Sequence, residues 1–128
     1  MTQLSIVSGL PFVTAILRAN GNEISLPNVL IDTGSAASVF RTDDLLKIGV
    51  QPALEASIRF VSGIGGREAV IEGMVDALSI DDLTASPFTI QMGRLEYGFA
   101  IDGIIGLDFL LQVGAIIDLE NLEIRKGS

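Results

Sequence analysis

Val29-Leu30-Ile31-Asp32-Thr33-Gly34-Ser35 decides how this chain is read, because an apolar run stops at a carboxylate and passes at once into a glycine turn. Such a run reads as a buried strand, and Thr-Gly-Ser after it as the tight turn that ends it. Asp32 therefore stands where a rigid, buried strand breaks open. Side chains at such breaks are the ones a scaffold can present to a ligand. Asp32 is the first candidate for chemistry.

Outward from that turn, the texture is short apolar runs punctuated by glycine. Residues 4–7 and 12–18 read as strands around Ser8-Gly9-Leu10-Pro11, and Asn20-Gly21-Asn22 reads as a hairpin turn, since Asn-Gly tolerates the positive φ of a type I′ loop. Residues 23–26 and 28–31 continue the sheet up to Asp32. Beyond it, Thr42-Asp43-Asp44-Leu45-Leu46-Lys47-Ile48-Gly49 is the clearest helix, with a capping Thr, acids in the first turn and Gly at the end. Residues 57–61 alternate in character as a half-exposed strand does. Ser62-Gly63-Ile64-Gly65-Gly66 then turns, and residues 67–71 return. A dinucleotide fingerprint starting at Gly63 needs glycine where Glu68 stands, and no lysine follows for a phosphate loop. Residues 102–111 combine an apolar strand, a glycine and a short helical pattern. Residues 114–119 and 122–125 form a closing hairpin through Glu120-Asn121. The whole reads as an all-β fold in one domain, residues 1–128, without linker or repeat.

Composition removes most other chemistries. Histidine and cysteine are absent, which excludes Ser-His and Cys-His nucleophiles, the common zinc sites, iron-sulfur ligation and disulfides. No metal or other cofactor is expected, and carboxylate chemistry is what remains. A Ser-Lys dyad stays formally open, but neither Lys47 nor Lys126 sits in a recognisable motif. Sixteen acidic against eight basic residues give a net charge of −8, so no nucleic acid and no anionic membrane is expected as a partner. The apolar stretch 98–119 is interrupted by Asp102, Asp108, Gln112 and Asp118, too many polar groups for a membrane span, and reads as core. Met1-Thr2-Gln3-Leu4-Ser5 lacks the basic start and long apolar run of a secretory signal, which makes the cytoplasm the expected location.

Three signals occur in a fixed order: Ile31-Asp32-Thr33-Gly34-Ser35, then Val61-Ser62-Gly63-Ile64-Gly65-Gly66, then Ile104-Ile105-Gly106 before a helix. In this the chain resembles the retropepsin-type aspartic proteases, over nearly its whole length. The resemblance implies a closed, barrel-like acid protease fold with one or two short helices. It also implies an aspartic endopeptidase without cofactor, acting on a polypeptide substrate. The chemistry uses two carboxylates about 3 Å apart that share one proton. With one DTG per chain, the resemblance implies a homodimer in which each copy supplies Asp32.

The same resemblance implies the remaining roles. One Asp32 activates water as base while the other polarises the scissile carbonyl as acid. Thr33 reaches across the twofold axis to the partner backbone, and Gly34 lets backbone approach substrate. Ile105 and Gly106 pack under the catalytic loop. Ile64, Gly65 and Gly66 form the flap tip whose backbone donors meet the bound peptide. Viral members carry an acid two residues after the DTG glycine and a basic residue after the apolar-apolar-Gly element; here these are Ala36 and Leu107. Both partners are lost together, so no buried charge is stranded. Ser35 and Gly106-Leu107-Asp108-Phe109-Leu110 are more similar to cellular and bacterial members.

Ser35 admits two readings. Its hydroxyl either donates to the outer oxygen of Asp32, favouring the charged form and an optimum on the acidic side of neutral, or simply closes a turn. Asp43, Asp44, Asp81, Asp82 and Asp118 fit helix starts, turns and strand ends. Asp102 either borders the cleft or ends a hairpin, and Asp108 either starts the C-terminal helix or touches substrate. The alternative to an enzyme is a retropepsin-like module that binds peptide or dimerises with little turnover.

Overall fold

The computed structural model describes residues 2–53, 58–63, 66–96 and 100–127. β1 (Thr2–Gln3) opens the chain, followed by an antiparallel meander of β2 (Ser5–Val7), β3 (Leu10–Ala19) and β4 (Asn22–Ile31). Both meander turns are two-residue turns, Ser8-Gly9 at φ 53° and 77° and Asn20-Gly21 at φ 54° and 77°. Paired positive φ is the type I′ geometry whose twist matches the flanking strands. The hairpin expected at Asn20-Gly21 is thus present, with a second at Ser8-Gly9.

β5 (Val39–Arg41) leads into α1 (Thr42–Lys47). Arg41, not Thr42, occupies the N-cap, and no side chain among the described residues caps the helix. The Thr42 hydroxyl donates to the Gly93 carbonyl at 3.2 Å; as the first helical residue, Thr42 lies one place past the position from which a side-chain oxygen accepts a first-turn N–H. Gly49, at φ 79°, ends the helix in the left-handed conformation that glycine adopts without strain. The hairpin β6 (Ile58–Gly63) and β7 (Gly66–Val75) follows, then β8 (Ala77–Ile80), β9 (Leu83–Ala85) and β10 (Phe88–Gly93). β11 (Gly103–Ile105), α2 (Leu107–Val113), β12 (Ala115–Asp118) and β13 (Glu123–Lys126) complete the chain. Strands dominate, and the fold is all-β.

Among the described residues, ten strands share one sheet in the order β6-β7-β10-β5-β11-β4-β3-β8-β9, with β2 on β3; β1, β13 and β12 make a second, three-stranded sheet. The large sheet is not the closed barrel expected from the resemblance, because its end strands β6 and β9 do not pair with each other among the described residues. Helix α2 packs against β9, so a helix protects that end of the ladder where a barrel would use a strand.

The sheet carries apolar side chains on both faces. The main cluster includes Leu17, Phe40, Leu45, Ile90, Met92, Ile105 and Phe109, all 1 % exposed or less. Phe88 and Phe109 meet edge to face at 5.8 Å, the arrangement that ring quadrupoles favour. A smaller cluster of Phe12, Leu30, Val39, Val70, Leu95, Ile101 and Ile104 lies on the opposite face. Alternation assigns the faces: Ile31 and Ile105 point into the main cluster, Leu30 and Ile104 into the smaller one. No helix among the described residues is long and apolar enough to cross a membrane.

Candidate active site

β11 threads between the two strands that flank the Asp32 turn. It runs parallel to β4, with Ile104 beside Leu30 and Ile105 beside Ile31, and antiparallel to β5, with Gly103 beside Phe40 and Ile104 beside Val39. Segment 32–38 must therefore bridge from β4 to β5 over the end of β11. The Asp32 N–H donates to the Ile105 carbonyl at 2.9 Å, extending the parallel pairing one residue past β4. Asp32 is thereby kept on the Leu30 side of the sheet, above the smaller cluster.

The loop is fixed from below by α2 and its approach. The Leu107 N–H donates to the Ser35 carbonyl at 2.8 Å, and the Gly106 N–H to Ser38 Oγ at 3.0 Å. Gly106 has no room for a side chain: a Cβ there would lie 2.6 Å from both the Ser35 and Ala37 carbonyl oxygens. Gly103 answers a different neighbour, since a Cβ there would overlap the Phe40 ring. Ile105, Gly106 and the loop are thus brought together in one packed unit.

Within the loop, Asp32 is half-buried, and its Oδ1 accepts the Gly34 N–H at 2.9 Å. Its other oxygen has no protein donor among the described residues, which leaves that oxygen free to bind water or substrate. Gly34 allows this hairpin-like clasp, because a Cβ would approach Asp32 Oδ1 to 3.2 Å. Thr33 is exposed, and its hydroxyl makes no hydrogen bond among the described residues. Ser35 is 1 % exposed, and its hydroxyl donates to the Ala37 carbonyl at 2.7 Å. A hydroxyl has one proton to give, so the donation to the outer oxygen of Asp32 gives way to the turn-closing reading.

Two other acids find structural partners. Asp102 exchanges bonds with Asn28, donating its N–H to the Asn28 carbonyl at 2.8 Å and accepting the Asn28 N–H at 3.0 Å. It clasps the start of β11 to β4. Asp108, in the first turn of α2, accepts the Ser38 N–H at 3.0 Å, the Ser38 hydroxyl at 2.7 Å and the Phe109 N–H at 2.8 Å. Ser38, fully buried, was not singled out from the sequence. The only local signal it offers is a small hydroxyl residue one place before an apolar strand. Of the flap positions, Ile64 and Gly65 lie outside the described residues, while Gly66 pairs with Gly63 across the hairpin. Among the described residues, no group of three or more acids converges as a metal site would require.

The family model for aspartyl proteases matches residues 15–109, a span running from β3 through the Asp32 loop to α2. No curated protein matches the sequence. Solved structures that share the fold include the following two. A retropepsin-like aspartic protease from Rickettsia conorii superposes with a TM-score of 0.62 at 17 % identity, over 98 % of this chain and 97 % of that one. The retroviral protease-like domain of Ddi1 from Leishmania major does so with a TM-score of 0.58 at 19 % identity, over 100 % of this chain and 90 % of that one. The chain belongs to the aspartyl protease family and has its retropepsin-like fold.

Proposed function

We propose that this protein is an aspartic endopeptidase assembled as a homodimer, with Asp32 of each copy forming the catalytic pair. The observation that carries this reading is a single DTG carboxylate, held through Oδ1 and open at its other oxygen, on a loop locked over β11. A lone carboxylate cannot act as base and acid in the same step. Two brought within about 3 Å share one proton and divide the roles. Water lies between them, loses its proton to the charged member and attacks the scissile carbonyl, which the protonated member polarises. The exposed, uncommitted Thr33 hydroxyl then bonds the partner's loop across the axis. The β6–β7 hairpin serves as the flap, with residues 64–66 at its tip. The substrate lies extended between hairpin and floor, held through main-chain hydrogen bonds.

The test is digestion of a denatured protein across about pH 3 to 7, around ordinary carboxylate pKa values, by the native chain and by Asp32→Asn, with dimerisation measured by light scattering. The reading requires cleavage by the native dimer and none by the variant. Cleavage that survives Asp32→Asn refutes the assigned acid. A confirmed dimer that binds peptide without cutting it identifies a binding module instead.

A further inference from the structure

Gln91 is the one buried polar side chain whose Oε1 has no hydrogen-bond donor among the described residues, and the residue is 8 % exposed. A buried, unmet acceptor is costly to keep, so its retention calls for a reason. Its position supplies one. Phe88, Ile90 and Met92 of β10 point into the main cluster, and alternation turns Gln91 to the other face, the face of Asp32. Across the sheet, Gln91 is level with Val39, Val39 with Ile104, and Ile104 with Leu30. These four form one transverse row beneath Asp32. β10 and β4 are three strands apart in the sheet, which at strand spacing is about 14 Å.

On its other side Gln91 is directly opposite Glu72 of β7, and side chains opposed in an antiparallel pair share a face. Glu72 is half-buried and has no ion pair or side-chain hydrogen bond among the described residues. The next pair, Met92 with Ile71, is the last between β10 and β7; beyond it β7 runs on toward the hairpin tip with β6 alone as partner. Gln91 and Glu72 therefore stand opposed on one face, at the corner where the hairpin leaves the sheet.

We propose that Gln91 and Glu72 bind the cationic head of a lysine or arginine side chain of the polypeptide substrate, within about four residues of the scissile bond given the rise of an extended chain. This deepens the protease reading and rests on it for where the substrate lies. The head carries several N–H donors and no acceptor, which suits one neutral and one charged oxygen. A net charge of −8 favours the approach of a basic peptide.

The experiment uses peptide mixtures in which one position at a time is lysine, arginine, norleucine or glutamate. Binding is measured on dimeric Asp32→Asn and cleavage on the native dimer, with Gln91→Leu and Glu72→Gln introduced into each. Gln91→Leu keeps the volume and removes the unmet acceptor, and Glu72→Gln is isosteric, so thermal unfolding confirms that both fold. At one position, basic residues should be favoured over norleucine by about tenfold, as a charge-assisted hydrogen bond gives, with the ratio falling toward one in either variant. Equal binding of lysine and norleucine at every position, a preference unchanged in both variants, or no peptide binding at all overturns the proposal. A basic preference in binding without any cleavage upholds the site and refutes the protease reading.

Discussion

Asp108 accepts both donors of Ser38, the backbone N–H at 3.0 Å and the hydroxyl at 2.7 Å, across a separation of 70 residues. Ser38 Oγ in turn accepts the Gly106 N–H at 3.0 Å. The end of the Asp32 loop is thereby tied to α2 by a carboxylate whose partners among the described residues are all uncharged donors. The pairing does for this chain what a buried acid and base would do, without the desolvation of two opposite charges.

Removing either member of this tie leaves buried donors unmet. Ser38→Ala deprives the Gly106 N–H of its acceptor, and Asp108→Ala deprives the Ser38 N–H. Each is expected to destabilise the fold by about 1–3 kcal/mol in denaturant unfolding. The double variant should lose less than the sum, by a coupling of about 0.5–3 kcal/mol, because the two act on one network. Strict additivity would show that the bonds are incidental. Turnover should drop by about tenfold or more at temperatures where the variants remain folded, since small shifts of a catalytic group are costly.

Gly106 and Gly34 separate support from chemistry. At Gly106 a methyl group meets two carbonyl oxygens at 2.6 Å, and backbone on both sides cannot yield without moving the loop off β11. Gly106→Ala should therefore unfold early or fail to accumulate as folded protein, a loss of about 3 kcal/mol or more in line with severe core overpacking. At Gly34 the added methyl meets only Asp32 Oδ1, at 3.2 Å. Gly34→Ala should keep its unfolding temperature within a few degrees and lose activity, because the carboxylate is pushed from its bond to the residue-34 N–H. Circular dichroism melts beside cleavage rates distinguish the two. A Gly106→Ala variant as stable as the native chain would contradict the packing.

The parts of the fold legible in the sequence are those that local chemistry decides. Asn20-Gly21 imposes its turn because both residues accept positive φ, and the apolar 29–31 run ending at Asp32 marks a strand and its exit wherever it occurs. The link between Asp108 and Ser38 depends on how β11 is threaded, and nothing within a few residues of either announces it. Ser35 had two acceptors within reach on paper, and only the path of the loop decides for Ala37. Thr42 has the chemistry of a cap, yet the helix begins one residue earlier than that role needs, so Arg41 holds the N-cap and the Thr42 hydroxyl donates to Gly93 on another strand. Barrel closure fails in the same way, because it depends on whether a strand or α2 covers β9, a matter of packing between distant segments.

Asp118 makes a pH prediction whose sign follows from its partners. The Asn121 side chain and the Asn121 backbone N–H donate to it at 2.9 and 3.0 Å, and Arg125 at 3.1 Å. These bonds, those from Asn121 foremost, lower its pKa from 3.8 to about 2 against an opposing effect of burial. The folded chain thus holds the charged form more firmly than the unfolded chain does. Asp118 contributes its full stabilisation above about pH 4, and the contribution is lost as pH falls toward about 2. Comparing the native chain with Asp118→Asn cancels the other carboxylates. The difference in denaturant midpoint should be constant from neutral pH down to about 4 and then shrink toward about pH 2, the interval between the two pKa values. A difference that stays level through that interval would mean that the β12–β13 turn does not hold the carboxylate in solution as it does in the structure.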